Sequence, residues 1–479
     1  MANSDFVIVI LAAGKGTRLK SALAKVLHRA GGRPLVEQVV RACLPIKPRE
    51  IIAVVGHQAE DVTAAVAALK VKTILQEPQR GTGHAMLVAK RAIPSRAKYV
   101  ILLPGDAPLI RTETIAALAR SHRESGAAAT ILSAEIENPS GYGRIVRQDD
   151  GSVSAIVEDS ALTAEQRPIR EINSSMYCFT LAKLWPCLAT LKPTNKHKEL
   201  YLTDAIAVLR QKGEKVQAVL ASDPDEVLGC NTRADLAEVD SVFRKRKRAA
   251  IMDAGVTIEL PDTVLIDPDV VVGPDTRIEP GVQLLGSTKI GAGCTIRTGS
   301  ILLDAVLQDN VLVKPYSIVT ASYLSTGTQV GPFAHIREHS RLEKNARVGN
   351  FVEVKKSVLG EGVKSMHLTY LGDARVGSGT NIGAGTITCN YDGVNKNPTV
   401  IGKGVFIGSD TALVAPVRVG DGAYVGAGSV ITKNVPADAL GLARGKQMNK
   451  LGWAVARRKE MAAAKAKKSG AGKPAKRRK

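Results

Sequence analysis

Phosphate chemistry needs cations and backbone N–H groups that can crowd around oxygen anions, and a stretch near the start of the chain has both. The apolar run Phe6 to Leu11 leads into Ala12-Ala13-Gly14-Lys15-Gly16-Thr17-Arg18, a strand-to-glycine-loop junction where main-chain donors can approach phosphate oxygens. It is not a Walker A loop, because Val9 stands where the first Gly is needed and Gly16 where Ser or Thr is needed. Nor is it a dinucleotide fingerprint, since Leu19 holds the third glycine position. What is left is a nucleoside-triphosphate loop of another kind, with Arg18 and Lys25 available to neutralise phosphates. Gly105-Asp106 follows the apolar strand Tyr99 to Leu103. A carboxylate there either holds Mg²⁺ against substrate phosphates or caps the turn. Gln76 with Gly81-Thr82-Gly83-His84, and Gly141-Tyr142-Gly143-Arg144, add small residues and donors suited to a base and a sugar.

A second group lies late in the chain, in Gly349 to Lys356, Ser365 to Asp373 and Asn381 to Gly393. Lys355 and Arg337 are cations that can clamp a sugar phosphate, while Tyr370, Asn381 and Asn390 can bond hydroxyls. His367 is of the side-chain type that exchanges protons near neutral pH, suited to relieve an attacking amine of its proton. Glu353 lies on a nearby coil and could orient the imidazole. Cys389 reads as packing rather than as an acyl nucleophile, because direct transfer from a thioester needs none.

The elements that must carry these residues change character along the chain. Up to about residue 230, apolar runs (Phe6 to Leu11, Ile51 to Val55, Val71 to Leu75, Tyr99 to Leu103, Ala128 to Leu132) alternate with helical segments such as Thr114 to Arg123. That pattern predicts an α/β domain with a Rossmann-like, mostly parallel sheet over 1–230. Residues 231–250 read as a solvated linker helix ending in Arg244-Lys245-Arg246-Lys247-Arg248. Over 251–456, aliphatic residues recur every six positions: Val272, Ile278, Leu284, Ile290, Ile296; Val330, Ile336, Leu342, Val348, Val354; Ile401, Ile407, Leu413, Val419, Val425, Ile431. A period of six predicts a parallel β-helix of hexapeptide repeats, one aliphatic side chain inside each flat face. Asn390 to Asn397 breaks the register and reads as an insertion leaving the coil. Exposed faces of stacked coils favour a site shared between subunits, hence a homo-oligomer.

Bulk composition excludes several classes. The net charge of +21 suggests nucleic-acid binding, but residues 457–479 alone carry eleven Lys and Arg against one Glu. That segment reads as a disordered basic tail, and aromatic residues, at 4%, are too few for a base-stacking platform. A rival reading as a nucleic-acid-binding protein rests on this tail. No apolar run is long enough to enter a membrane or serve as a secretory signal, which predicts a soluble, cytoplasmic protein. Cys43, Cys178, Cys187, Cys230, Cys294 and Cys389 show neither CxxC nor Cys/His pairing, so no disulfide framework or zinc site is expected.

Taken in order, Leu11 to Arg18, Lys25-Val26-Leu27-His28, Gly81 to Ala85, Gly105-Asp106, Gly141 to Arg144 and Glu171-Ile172-Asn173 resemble the uridyltransferase half of a bacterial bifunctional family. Its members are N-acetylglucosamine-1-phosphate uridyltransferases and glucosamine-1-phosphate acetyltransferases. The three late stretches resemble the acetyltransferase half, whose β-helix is left-handed. The resemblance runs from about residue 5 to about 450. It implies acetyl transfer from acetyl-CoA to glucosamine-1-phosphate, then coupling of N-acetylglucosamine-1-phosphate to UTP, in a homotrimer serving cell-envelope synthesis. It assigns Leu11, Ala12, Ala13, Gly14, Arg18, Lys25 and Gly105 to the nucleotide, Gln76, Gly81 and Thr82 to its uracil, and Gly143, Glu158 and Asn173 to the sugar. Asp106 and Asn231 would hold Mg²⁺. Arg337, Lys355, Tyr370 and Asn381 would take glucosamine-1-phosphate, and Ala384, Asn390, Tyr391, Ser409, Ala427 and Arg444 acetyl-CoA, with His367 and Glu353 catalytic. Ala24 departs from the family, which has Pro before the lysine, and a looser loop is expected there. The competing reading within the enzymes is a single-activity sugar-1-phosphate nucleotidyltransferase whose β-helix is only a scaffold.

Overall fold

The computed structural model describes residues 3–193 and 199–470. It comprises two compact units, Met1–Asp304 and Ala305–Lys479.

The first unit is built on a nine-stranded sheet. Its strands are β1 (Asn3–Ala12), β2 (Pro48–Val55), β3 (Lys72–Leu75), β4 (Tyr99–Pro104), β5 (Ala129–Glu135), β6 (Arg144–Arg147), β7 (Val153–Val157), β8 (Glu171–Thr180) and β9 (Val216–Leu220). The main order is β9-β5-β8-β4-β1-β2-β3. β4, β1, β2 and β3 pair in parallel, as do β9 and β5. β8 runs antiparallel to both β4 and β5, and the antiparallel pair β6–β7 joins it. The sheet is therefore mixed, because β8 follows that pair directly and enters without the crossover helix that a parallel strand needs. β1 is apolar throughout since both its faces are covered: Phe6, Ile8 and Ile10 pack into one core and Val7 and Val9 into the other. The predicted helix at 114–123 extends over Thr112–Ser125. Its His122 is fully buried, with Nδ1 paired to Thr130 and Nε2 to Thr180.

The helix Arg233–Asp253 opens on a capping box between Thr232 and Asp235. Its basic run is not the solvated face that the charge pattern suggested. Arg246 donates to the Leu109 carbonyl, Lys247 to the carbonyls of Pro268 and Val270, and buried Arg248 to Asp262. Long stems let these cations cross apolar surface and reach carbonyl oxygens that would otherwise lack donors.

The hexapeptide region folds as coils of two- to four-residue parallel strands, begun in the first unit (Thr257–Ile258 on Arg277–Ile278 on Thr295–Ile296). In the second unit, the three ladders include Gln329–Val330 on Arg347–Asn350, His335–Ile336 on Glu353–Lys355, and Arg341–Leu342 on Val358–Leu359. All sixteen aliphatic residues of the predicted six-residue period are buried. Glycine is required where coils touch: a Cβ on Gly377 would stand 2.5 Å from the carbonyl carbon of Gly402. At one set of corners the left-handed residues Tyr316, Phe333 and Phe351 stack 5.5 Å apart on the outside. The Asn390–Asn397 segment leaves the ladder as expected and is closed by an isolated Tyr391–Lys396 bridge.

The basic tail differs from expectation. Trp453–Gly470 is helical, and solvent-exposed over 453–468, rather than disordered from residue 457, because Ala, Lys, Arg, Glu and Met are strong helix formers even without a face to bury. Residues 471–479 lie outside the described part. No helix among the described residues is long and apolar enough to cross a membrane.

Burial pushes His122 down from 6.5 to about 4. The folded ring stays neutral while the unfolded chain binds a proton, so its contribution is complete above about pH 6.5 and is lost as pH falls toward 4, about 3 kcal/mol in all. Urea midpoints of the first unit should fall across that window, and a non-titrating His122→Gln variant should show a flatter pH dependence.

Candidate functional site

Turns at the C-terminal ends of adjacent parallel strands build the first cluster. Gly105 follows β4, donates its N–H to the Leu11 carbonyl at 2.9 Å, and has no room for a side chain against that oxygen. Gly16 is left-handed, and a Cβ there would strike the Lys25 side chain. The loop thus folds back so that the Lys25 ammonium forms an ion pair with Asp106, both largely buried. The same ammonium donates to Asn231 Oδ1 at 2.8 Å, which also accepts from Arg18 at 2.7 Å. Asn231 is anchored on either side: Cys230 N–H donates to the Asp106 carbonyl at 2.9 Å, and Asn231 N–H to Asp235 at 2.8 Å. Four residues far apart in sequence, Arg18, Lys25, Asp106 and Asn231, therefore converge on one point. Ala24 is fully buried and its N–H donates to Gln58 Oε1 at 2.6 Å, so the loop is pinned where looseness was expected.

Other loops carry the remaining residues assigned to the nucleotide and the sugar. Buried Gln76 donates to the Gly81 carbonyl and pairs with His84 Nδ1, both at 3.1 Å. Burial and Arg80 hold the His84 ring below its ordinary pKa, hence neutral. Thr82 Oγ1 accepts from Leu202 N–H. Gly143 accepts from Asn173 N–H at 2.8 Å and leaves space beside Glu158. Glu158 is solvent-accessible yet hemmed in, and that crowding, with Asp204 nearby, keeps its carboxyl above the usual carboxylate range. The Asn173 amide is turned inward to Tyr177 Oη at 2.8 Å.

In the second unit, one corner of the coils stacks residues in a column. Leu368 N–H donates to the Asn350 carbonyl, Gly385 to Leu368, Asp410 to Ala384, Gly428 to Ser409, and Arg444 Nη1 to Ala427. His367 stands at the lower end of this column, with Ala384, Ser409, Ala427 and Arg444 on successive coils above it. The imidazole is oriented by Asn350, not Glu353: Nδ1 lies 2.8 Å from Asn350 Oδ1. An amide oxygen can only accept, so in the neutral ring Nδ1 carries the proton and Nε2 the lone pair. Glu353 instead binds Arg337 at 2.8 Å, because it begins the next face, opposite Tyr370 rather than His367.

That next face carries the polar cluster. Lys355 pairs in register with Gly372, where a Cβ would collide with both Tyr370 Oη and Asn390 Nδ2. Asn390 thus sits beside Tyr370 and bonds Asp373 at 2.6 Å, away from the column. Asn381 lies in register with Lys364, the first residue of the strand that ends at His367. Tyr391 bonds the Gly393 carbonyl within the insertion. Lys396, on the same insertion, is the main reason the Lys355 ammonium lies below its ordinary range, with Arg337 and Lys356 adding to the repulsion. Like charges crowded in this way repel one another, and an anion between them would relieve that repulsion. Sequence reasoning missed Asn350 and Lys396, although both lie in stretches that it singled out. Cys389 pairs in the ladder with Val414.

Among known families, the MobA-like NTP transferase domain matches residues 8–222, and the bacterial transferase hexapeptide matches 269–303 and 398–433. The chain is 50% identical to the bifunctional protein GlmU of Koribacter versatilis over 96% of its own length and 98% of that protein's. It is 48% identical to that of Solibacter usitatus (94% and 97%) and 45% identical to one from Listeria monocytogenes (93% and 97%). The chain belongs to the GlmU family. GlmU proteins join a uridyltransferase to an acetyltransferase, and this chain carries both activities.

In a ¹⁵N-histidine spectrum, neutral His367 should show a protonated Nδ1 and a bare Nε2. Asn350→Ala should shift the ring toward the other tautomer, while Glu353→Gln should leave it unchanged.

Proposed function

We propose that the chain makes UDP-N-acetylglucosamine in two steps, as a cytoplasmic homotrimer. The observation that carries this reading is that one chain holds two differently built sites, a cation–carboxylate cluster on the α/β sheet and a histidine-headed column on the β-helix.

In the acetyl transfer, glucosamine-1-phosphate binds through its phosphate to Lys355, Arg337 and Lys396, with Tyr370 and Asn381 toward the sugar. Acetyl-CoA lies along the column formed by Ala384, Ser409, Ala427 and Arg444; Asn390 and Tyr391, which the family resemblance also assigns to it, stand off that column on the face that bears the insertion. His367 Nε2 takes the proton of the amine as nitrogen attacks the thioester carbonyl. The C–S bond then breaks, an amide forms, and the proton passes to the departing CoA thiolate. Asn350 fixes the ring, and Glu353 holds Arg337 in place.

In the uridylyl transfer, the phosphate oxygen of N-acetylglucosamine-1-phosphate attacks the α-phosphorus of UTP in line, and pyrophosphate leaves. No protein nucleophile is needed. Leu11, Ala12, Ala13, Gly14 and Gly105 approach the nucleotide through their backbone, Gln76, Gly81 and Thr82 its base, and Gly143, Glu158 and Asn173 the sugar. Arg18 and Lys25 neutralise charge on the phosphates. Asp106 and Asn231 supply two oxygen donors that already share one cation, Lys25, and such hard donors suit Mg²⁺. When bound, that metal would offset phosphate charge.

Asp106→Ala or added chelator should abolish pyrophosphate release from UTP yet leave thiol release from acetyl-CoA intact. His367→Ala should slow acetyl transfer by about 10² to 10⁴ while uridylyl transfer from pre-acetylated sugar phosphate continues at the parent rate. Acetyl transfer within a few-fold of normal in that variant would leave the β-helix as a scaffold. Light scattering should give three times the chain mass of 50.7 kDa, the exposed Tyr316–Phe333–Phe351 stack being one surface that assembly could cover.

A further inference from the structure

The segment from Ala13 to Lys25 carries the cations of the nucleotide site, but its own regular structure is limited to single turns at Thr17–Leu19 and Lys25–Leu27. Both of its ends are held by a turn from another strand. β2 finishes at Val55, and Gly56-His57-Gln58 follows before helix α2 (Ala59–Val66) begins. His57 N–H donates to the Ala13 carbonyl at 3.3 Å. Gln58 Oε1 accepts the Ala24 N–H at 2.6 Å. Gly56 lies so close to the loop that a Cβ there would come within 2.9 Å of Ala13. Gln58 is itself left-handed, at φ 51° and ψ 46°, a conformation that side chains other than glycine and asparagine seldom adopt. The helix it starts holds it there, with Val62 N–H donating to its carbonyl at 3.0 Å.

We propose that Gln58 is a positioning residue for uridylyl transfer, fixing Ala24 and so presenting the Lys25 ammonium before nucleotide arrives. The proposal rests on the reading that Lys25 meets the nucleotide phosphates. Ala24 is fully buried, so its N–H cannot turn to water if Gln58 is lost. The loop must then either leave the donor unsatisfied or move. Movement displaces Lys25, the next residue, and restoring it on binding weakens apparent affinity for UTP more than it slows the chemistry. The backbone of Ala24, at φ −55° and ψ 139°, is one that proline adopts without strain and without an N–H to satisfy.

Four full-length variants test this: Gln58→Leu, Gln58→Ala, the double variant Gln58→Ala with Ala24→Pro, and Lys25→Ala. Gln58→Leu and Gln58→Ala should raise KM for UTP about 5- to 30-fold, the worth of one buried hydrogen bond. The kcat of uridylyl transfer should change by less than threefold, and acetyl transfer by the same protein should be unchanged. In the double variant, where the proline ring takes up space vacated by the glutamine, KM should return to within a few-fold of the parent value. Unchanged KM in both Gln58 variants, alongside severe loss in Lys25→Ala, would overturn the proposal and keep the reading of Lys25. A Lys25→Ala protein with normal uridylyl transfer would overturn the reading itself. Failure of Ala24→Pro to recover KM would show that Gln58 acts otherwise than through the Ala24 N–H.

Discussion

A strand of two or three residues cannot satisfy its backbone alone, and in the hexapeptide region it does so by lying on the next coil. Gly331 N–H reaches the Val348 carbonyl, Glu353 that of Thr369, and Gly383 that of Ile407. This ladder fixes which residues become neighbours. Equivalent positions on successive coils stand above one another, which is why Ala384, Ser409 and Ala427 share a corner despite their separation in sequence. The aliphatic interior supplies the driving force, but the ladder supplies the alignment.

The first unit solves a different problem. A largely buried ammonium is costly unless partnered, and Lys25 obtains both its partners from other segments, Asp106 after β4 and Asn231 before the helix Arg233–Asp253. Asn231 takes two cationic donors on one oxygen, so its carbonyl end faces the cluster. The free chain thus holds its positive charges against a carboxylate and an amide, and a polyphosphate would compete for those same cations.

Much of this was readable from residue order because it is periodic or local. All sixteen side chains that the six-residue spacing named are buried, and the apolar runs named five strands to within a few residues. The direction of β8 was not readable, since a residue pattern carries no strand direction and only the connection decides. Long-range pairing was also hidden. Glu353 and Asn350 are both within reach of His367 in sequence, and a corner of the coil decides that the amide, not the carboxylate, meets the ring. Arg246, Lys247 and Arg248 looked solvated because a charge run carries no sign of the carbonyls that wait for it. The tail helix was missed because burial, not propensity, was taken as the criterion.

The Asn390–Asn397 insertion leaves the coil at a corner and returns with the ladder intact, Thr399 pairing with Ala374 as if nothing had intervened. Its turn is closed internally by Asp392, which binds the N–H groups of Val394 and Asn395 and the side chain of Asn397. Lys396 therefore rides on a part whose length and charge can vary with little cost to the coils beneath it. The coils are thus a chassis and the loop a fitting: on the reading proposed above, the group that meets the anionic end of a substrate can be altered without moving the coil that carries His367.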